Sequence, residues 1–418
     1  MSTPSTKTAD GRALALVLLF VVYAFNCIDR QILGILVPAI RVELELSDTQ
    51  LGWLGGPAFA IFYTALGVPI AWLADRWSRT WIMTIALALW SVFTAACGFA
   101  TSFAQLFAAR LGVGVGEAGG VAPAYSLISD YFPPKERARA LALYSFGIPI
   151  GSAAGIMIGG LVASHIDWRA AFVAVGLAGV IIAPLFRLLM KEPQRGRYDA
   201  PAPAEAPKRG AVSSLLGKSS FWLLSFGAAS SSIMGYGIFF WMPSFLVRSF
   251  SFAVEQAAFY YGSLLLIGGV AGVWLGGVLG DRLGGNRAAY ALVPAAAFAL
   301  TLPCYALGLS SHDPALAFVL FLPPTALGLV WLGPVIAAVQ HLAPARSRST
   351  ASALFLFVNN LIGLGLGSLV IGMVSDGLQA EFGDEALRYS ILAGTGFYAL
   401  AALLMLLASR RLKAEWVD

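Results

Sequence analysis

Charge is scarce in this chain. Only 12% of its 418 residues are Asp, Glu, Lys or Arg, while 58% are hydrophobic. A soluble domain of this length could not hide so much apolar surface, so lipid must be the solvent for much of it. Cysteine is nearly absent too. Cys27, Cys97 and Cys304 lie singly in apolar runs, which excludes a disulfide framework and leaves them as packing residues. The three histidines, His165, His312 and His341, fall near the ends of apolar segments, and no His-Glu-x-x-His, Gly-x-Ser-x-Gly or Gly-Lys-Ser/Thr motif occurs. An intramembrane enzyme would need a nucleophile or metal cluster at membrane depth. With neither in the sequence, no catalytic role, cofactor or metal is expected. Asn-x-Ser/Thr sequons are missing, and a polar stretch over 1–11 followed by a long apolar run does not read as a cleavable signal peptide.

Long uncharged runs are what the chain has in abundance. They place membrane helices near 13–40, 49–74, 80–102, 104–131, 138–164 and 169–190, then near 219–247, 256–280, 287–309, 314–341, 348–376 and 387–409. The break carries Pro193, Pro201, Pro203 and Pro207 among Lys, Arg and Ala, the composition of a solvated linker. The expected organisation is an all-α membrane protein of 12 helices in two pseudo-symmetric six-helix bundles, 1–190 and 219–418, joined by a cytoplasmic linker over 191–218. With the N-terminus inside, 21 of the 27 Lys and Arg are cytoplasmic and four (Arg41, Arg169, Arg248, Arg388) are outside. That asymmetry puts both termini in the cytoplasm.

One loop phrase occurs twice. Ala71-Trp-Leu-Ala-Asp75-Arg76-Trp-Ser-Arg79 and Gly277-Val-Leu-Gly-Asp281-Arg282 each close one apolar segment and open the next, with their aspartates 206 residues apart. Arg137 and Arg139 follow helix 4, as Arg346 and Arg348 follow helix 10. Charge pairs among these residues could latch the cytoplasmic side in one conformation and part in the other. Glycines recur every fourth residue at 147–159 and 268–280, a spacing that lets helices approach closely, either in fixed packing or in a sliding contact. Gly114-x-Gly116-x-x-Gly119 matches a dinucleotide-binding pattern, but it lies within an apolar helix rather than after a strand and is read as chance.

Four charges sit at membrane depth: Asp29 and Arg30 in helix 1, Arg110 and Glu117 in helix 4. Each costs about 2.5–3.5 kcal/mol or more there, so they should face the bundle interior and pair. Seven residues is almost two turns, placing Arg110 and Glu117 on one face about 10 Å apart. Two acids and two arginines allow full pairing and suit a proton relay, with Glu117 the first candidate and Asp29 the second. An arginine released on protonation could grip an anionic head group.

At these residues the chain resembles the major facilitator superfamily. The two Asp-Arg loops resemble its helix 2–3 signature and the helix 8–9 echo, and Arg110-x-x-x-Gly114-x-Gly116-Glu117 resembles its helix 4 signature. Ala71 stands where that family usually has glycine, and Pro149 departs from its antiporter motif. Asn26-Cys-Ile-Asp29-Arg30, with Ile371-Gly-Met-Val-Ser-Asp376, is similar to the spinster-type transporters, while the organic-anion symporters share a similar helix 1 motif. The resemblance implies a proton-coupled secondary transporter of an amphiphilic or anionic small molecule, lysolipid- or sphingolipid-like, working by alternating access, with an organic-anion/proton symporter as the alternative and a non-transporting membrane sensor as a remote one. Asp29, Arg30, Arg110 and Glu117 would form its coupling and substrate site. Asn26, Tyr125, Trp331, Asn359 and Asn360 are candidate cavity residues. The expected partners are a small-molecule or lipid substrate, protons and the lipid bilayer, with no nucleic acid. The expected setting is a monomer in a bacterial inner membrane.

Overall fold

The computed structural model describes residues 6–198, 211–282, 286–344 and 347–417. Every regular element among them is helical. The N-terminal half contains α1 (Thr6–Glu43), α2 (Asp48–Gly55), α3 (Pro57–Ala74), α4 (Arg79–Cys97), α5 (Phe103–Glu117), α6 (Val121–Tyr131), α7 (Pro134–Ser145), α8 (Gly147–His165) and α9 (Trp168–Leu189). After the short α10 (Ala211–Leu216) come α11 (Ser219–Ser249), α12 (Val254–Arg282), α13 (Ala289–Ser310), α14 (Pro314–Leu327) and α15 (Leu332–His341). The chain ends with α16 (Arg348–Asn359), a π-helical turn (Asn360–Leu364), α17 (Gly365–Phe382), α18 (Ala386–Gly394) and α19 (Gly396–Glu415).

Ten stretches among the described residues are long and apolar enough to cross a bilayer. The last of these, Thr350–Glu415, holds two spans joined at Gly383–Glu385. The stretch 103–131 supplies one more span, broken at 118–120 between α5 and α6. The twelve expected spans are therefore present, and several are two helices end to end. Glycine or proline stands at most of the joints, where backbone entropy or a missing N–H interrupts the ladder.

The helices form two compact units. One comprises residues 1–44 and 58–203, the other 45–57 and 204–418. This division differs from a simple cut at the linker, because residues 45–57 group with the C-terminal half while both flanks group with the N-terminal half. The start of the expected linker is also part of the first unit. Arg195 donates to the Ala74 carbonyl at 2.7 Å and to that of Trp77, and the Gly196 amide donates to Asp130 at 3.0 Å.

The glycine ladders pack inside the units. A Cβ at Gly151 would lie 2.2 Å from the Ala24 carbonyl oxygen, and one at Gly155 2.7 Å from that of Ile28, so α8 lies backbone to backbone against α1. In the second unit a Cβ at Gly272 would lie 2.4 Å from the Ala326 carbonyl oxygen. The ladders' close approaches lie within each unit.

Candidate functional site

The membrane-depth charges all belong to the first unit, on α1 and α5. The α8 ladder fixes α1 at Ala24 and Ile28, immediately before Asp29 and Arg30. Two contacts fix α5: a Cβ at Gly114 would meet the Phe59 carbonyl oxygen at 2.4 Å, and one at Gly116 the Trp90 amide nitrogen at 2.5 Å. Small residues on either side of the charges thus hold them where side-chain packing alone would leave slack.

Asp29 and Glu117 have no solvent exposure and Arg110 only 2%. The Arg30 Nε donates to Glu117 Oε2 at 2.6 Å, a charge-assisted contact. Asp29 accepts the Thr94 hydroxyl, and the Glu117 carboxylate is among its charged neighbours. Arg30 also lies over the rings of Phe59 (4.9 Å) and Tyr63 (4.6 Å), and Arg110 over Phe59 at 5.5 Å. Full pairing of the four charges is not realised. Arg110 stands beside Asp29, but its Nε and Nη1 have no hydrogen-bond partner within the protein. Asp29 Oδ2, Glu117 Oε1 and both amide atoms of Asn26 share that condition. Buried polar groups are costly when unmet, and this cluster holds several such groups side by side.

Beside the charges stands a tyrosine wall that sequence reasoning missed except for Tyr125. Tyr23 and Tyr144 stack at 4.3 Å, and Tyr125 meets Tyr144 edge-on at 5.7 Å. Below it, Leu16, Val17 and Phe20 of α1 and Leu143, Phe146 and Ile150 line an almost wholly apolar groove of about 350 Å³. Leu16, Phe20, Tyr23, Cys27 and Arg30 follow helical spacing along one stripe, so groove and charge are joined by one face of α1. No residue there departs from ordinary apolar-helix composition; the only usable signal was this stripe.

The second-unit candidates do different work. Asn359 is buried and accepts the Ser232 hydroxyl at 2.9 Å, a helix–helix bond between α16 and α11. Asn360 opens the π turn, and Trp331 packs edge-on against Phe355 at 6.2 Å. Tyr261, Tyr305, Thr325 and Tyr398 line a small cavity of about 40 Å³.

Among the loop charges, Arg79 is 1% exposed and bonds inside its own unit. It binds Asp130, Ser126 at 2.8 Å and Glu192 at 2.7 Å. Burial raises the Glu192 carboxyl, but the Thr80 amide, Arg79 and the Ser78 hydroxyl outweigh it and hold this acid below its ordinary range. Arg137 bonds the carbonyls of Ser129 and Phe132, each at 3.1 Å, closing the end of α6. Asp75, Arg76 and Arg139 are exposed. Arg348 opens α16 and Asp281 and Arg282 end α12, while Arg346 lies outside the described residues.

Paired helical bundles with two acids and two arginines clustered together within the first unit's spans point to a multi-pass membrane transporter. Residues 19–368 match the family described as the Major Facilitator Superfamily, and the chain belongs to it. It is 34% identical over 404 residues to an "MFS-type efflux pump" of Mycolicibacterium smegmatis, covering 96% of this chain and 93% of that one. To human "Protein spinster homolog 1" it is 28% identical over 416 residues, covering 93% and 79%. Its fold is similar to the crystal structure of a bacterial homologue of the human lysosomal transporter spinster in an inward-facing, unoccupied conformation. The TM-score is 0.88 at 30% identity, over 99% of this chain and 100% of the other. The spinster-type resemblance read from helix 1 is borne out.

Proposed function

We propose that the protein is a proton-coupled secondary transporter of an anionic amphiphile, lysolipid- or sphingolipid-like, working by alternating access from a bacterial inner membrane with both termini cytoplasmic. The observation that carries the reading is the cluster of Asp29, Arg30, Arg110 and Glu117, with two Arg110 donor groups lacking a protein partner. Arg110 offers a planar, always-charged fork suited to a phosphate or carboxylate head. A proton arriving at Glu117 discharges the acid that holds Arg30 and frees that arginine toward the same head group. Ligand and proton then act on one pair of arginines, which couples their movements.

The apolar groove below the tyrosine wall favours an alkyl-bearing ligand over a wholly polar one. An organic-anion/proton symporter is the second reading, supported by 30% identity over 246 residues to the "Hexuronate transporter" of Bacillus subtilis. The exposed loop charges Asp75, Arg76 and Arg139, with Asp281, Arg282, Arg346 and Arg348, would serve as conformational contacts on the cytoplasmic side, and the transporter would act as a monomer. Proteoliposomes with an internal pH dye, given lysolipids and organic acids in turn, test the reading. Proton movement should follow addition of a lysolipid and be lost in Glu117→Gln. Proton-coupled transport persisting in both Glu117→Gln and Asp29→Asn would sink the coupling.

A further inference from the structure

The apolar groove of the first unit ends in charge on the side of the chain termini. Arg12 stands one turn before Leu16 on α1, and Arg139 one turn before Leu143 on α7. Both lie at the same end, because the two stretches run in parallel. Arg12 is 3.9 Å from Glu136, Tyr23 stacks on Tyr144, and Ala24 and Ile28 meet Gly151 and Gly155 in turn. Tyr198 steadies Arg12: its hydroxyl accepts from Nη2, and its ring centre lies 5.4 Å from the guanidinium. The Arg12 Nε is buried and meets no acceptor among the described residues. Arg139 and Lys135 are exposed.

At its other end the groove stops at the tyrosine wall. Arg12 and Tyr23 are eleven residues apart on one helix, a rise of about 16 Å. Half of a bilayer's hydrocarbon core is about 15 Å. Charge and groove together therefore span the depth of one leaflet. Between these ends the lining is uncovered, with Val17 56% and Leu143 46% exposed. A volume of about 350 Å³ lies at the small end of ligand pockets, and its apolar walls offer nothing to a polar group.

We propose that the groove is a binding site for an anionic diacyl phospholipid of the leaflet on the side of the termini. The phosphate lies on Arg12 and Arg139, one acyl chain fills the groove as far as Tyr23, and the other stays in the bilayer. Guanidinium forks match phosphate oxygens in pairs and keep their charge at any physiological pH. Lys135 adds to the attraction of an anionic membrane surface. This lipid keeps the orientation of its leaflet, with its head group away from Arg30 and Arg110. A ligand with its head group at those two arginines enters the same groove chain-first from the opposite end. The two exclude one another, so the phospholipid is a competitor rather than a cargo. The inference goes beyond the transport reading and does not depend on it; only the naming of the leaflet as cytoplasmic rests on the topology proposed above.

The test uses the full chain in nanodiscs that contain phosphatidylglycerol with a photoactivatable diazirine in one acyl chain, or the matching phosphatidylcholine. Labelled positions are then mapped on peptides. Phosphatidylglycerol should label residues 16–20 and 143–150 roughly tenfold more than phosphatidylcholine does. Arg12→Ala with Arg139→Ala should bring that label down to the phosphatidylcholine level. Arg410→Ala with Arg411→Ala removes as much exposed charge from the end of α19 and should leave it unchanged. Leu143→Trp fills the groove while keeping both arginines, and should lower the label from either lipid at residues 16–20. The site is overturned if the two lipids label the groove equally, or if the label survives loss of both arginines. It is also overturned if label spreads evenly over the groove and the exposed apolar faces of α4 and α9 at Val92 and Ile181. Should the double variant fail to fold, Arg139→Ala alone carries the decision, with a loss of several-fold expected. Because labelling needs neither a pH gradient nor transport, its outcome is separate from whether Glu117→Gln loses coupling.

Discussion

The two units share a scaffold and differ in what they bury. Each has a long helix whose glycines, spaced by four, lie against a neighbour's backbone: Gly151 and Gly155 on α1, Gly272 on α14. Inside the N-terminal unit that close packing frames two acids and two arginines. Inside the C-terminal unit the corresponding interior holds neutral groups, Ser232 with Asn359 and the hydroxyls of Tyr261, Tyr305 and Tyr398. The comparison teaches that a shared shape does not carry a shared chemistry: the clustered acids and arginines stand within the spans of one unit, whereas the buried pair of the other, Asp48 with Arg248, lies at a helix start. Buried charge is expensive in a bilayer.

The sharpest way to break the comparison is to remove titratable groups on one side and neutral ones on the other. Glu117→Gln should take proton-coupled transport in proteoliposomes to background, whereas Asn359→Ala should reduce it only a few-fold. Equal losses would mean that the units are not chemically distinct. Next in size is Arg79→Ala, which strands Asp130 and Glu192 beside a vacated, buried position. Breaking a buried pair from one side costs about 3–5 kcal/mol, so the melting temperature in detergent should fall markedly.

A pair of methyl insertions probes the ladders. Gly151→Ala places a carbon where the Ala24 carbonyl oxygen stands and should cost about 1–3 kcal/mol. Gly276→Ala meets its nearest atom only at 3.4 Å and should leave the melting temperature within about a degree of the parent. The smallest effect concerns Glu192. Its folded-state acidity lies below the ordinary carboxylate range, so its contribution is present above the unfolded value of about 4.3 and is lost as pH falls through the folded one. A melting-temperature profile from pH 7 down to about 3 should slope downward at its acid end, and that slope should be shallower in Glu192→Gln.

The four membrane-depth charges were legible because a charge in an apolar run has a stated cost. Their neighbours were not, because threonine and tyrosine are ordinary tenants of such helices; nothing marks Thr94, Tyr63 or Tyr144 until the helices are packed. Arg79 was legible as a basic loop residue, yet its partners Asp130 and Glu192 come from two other helix ends, and sequence does not say which distant carboxylate a loop arginine meets. Spans were readable by length, but their interior breaks were not. The run 104–131 reads as one helix, and Ala118-Gly119-Gly120 interrupts it just after Glu117. Least legible was the assignment of residues 45–57. Their greasy, glycine-rich character is common to both halves, and the pairing that claims them, Asp48 with Arg248, spans 200 positions of chain.

The π turn at Asn360–Leu364 has a consequence for how this stretch can vary. A π turn accommodates one residue more than the α-helical winding around it, so it absorbs that residue in a single wide turn and leaves α17 in the phase a shorter, continuous α-helix would give it. Deleting a single residue within the turn would restore that helix and keep the Ser368–Gly372 face where it lies on α2. A one-residue deletion inside the turn is therefore a local event, while the same deletion a few residues further on would rotate everything that follows by roughly 100°.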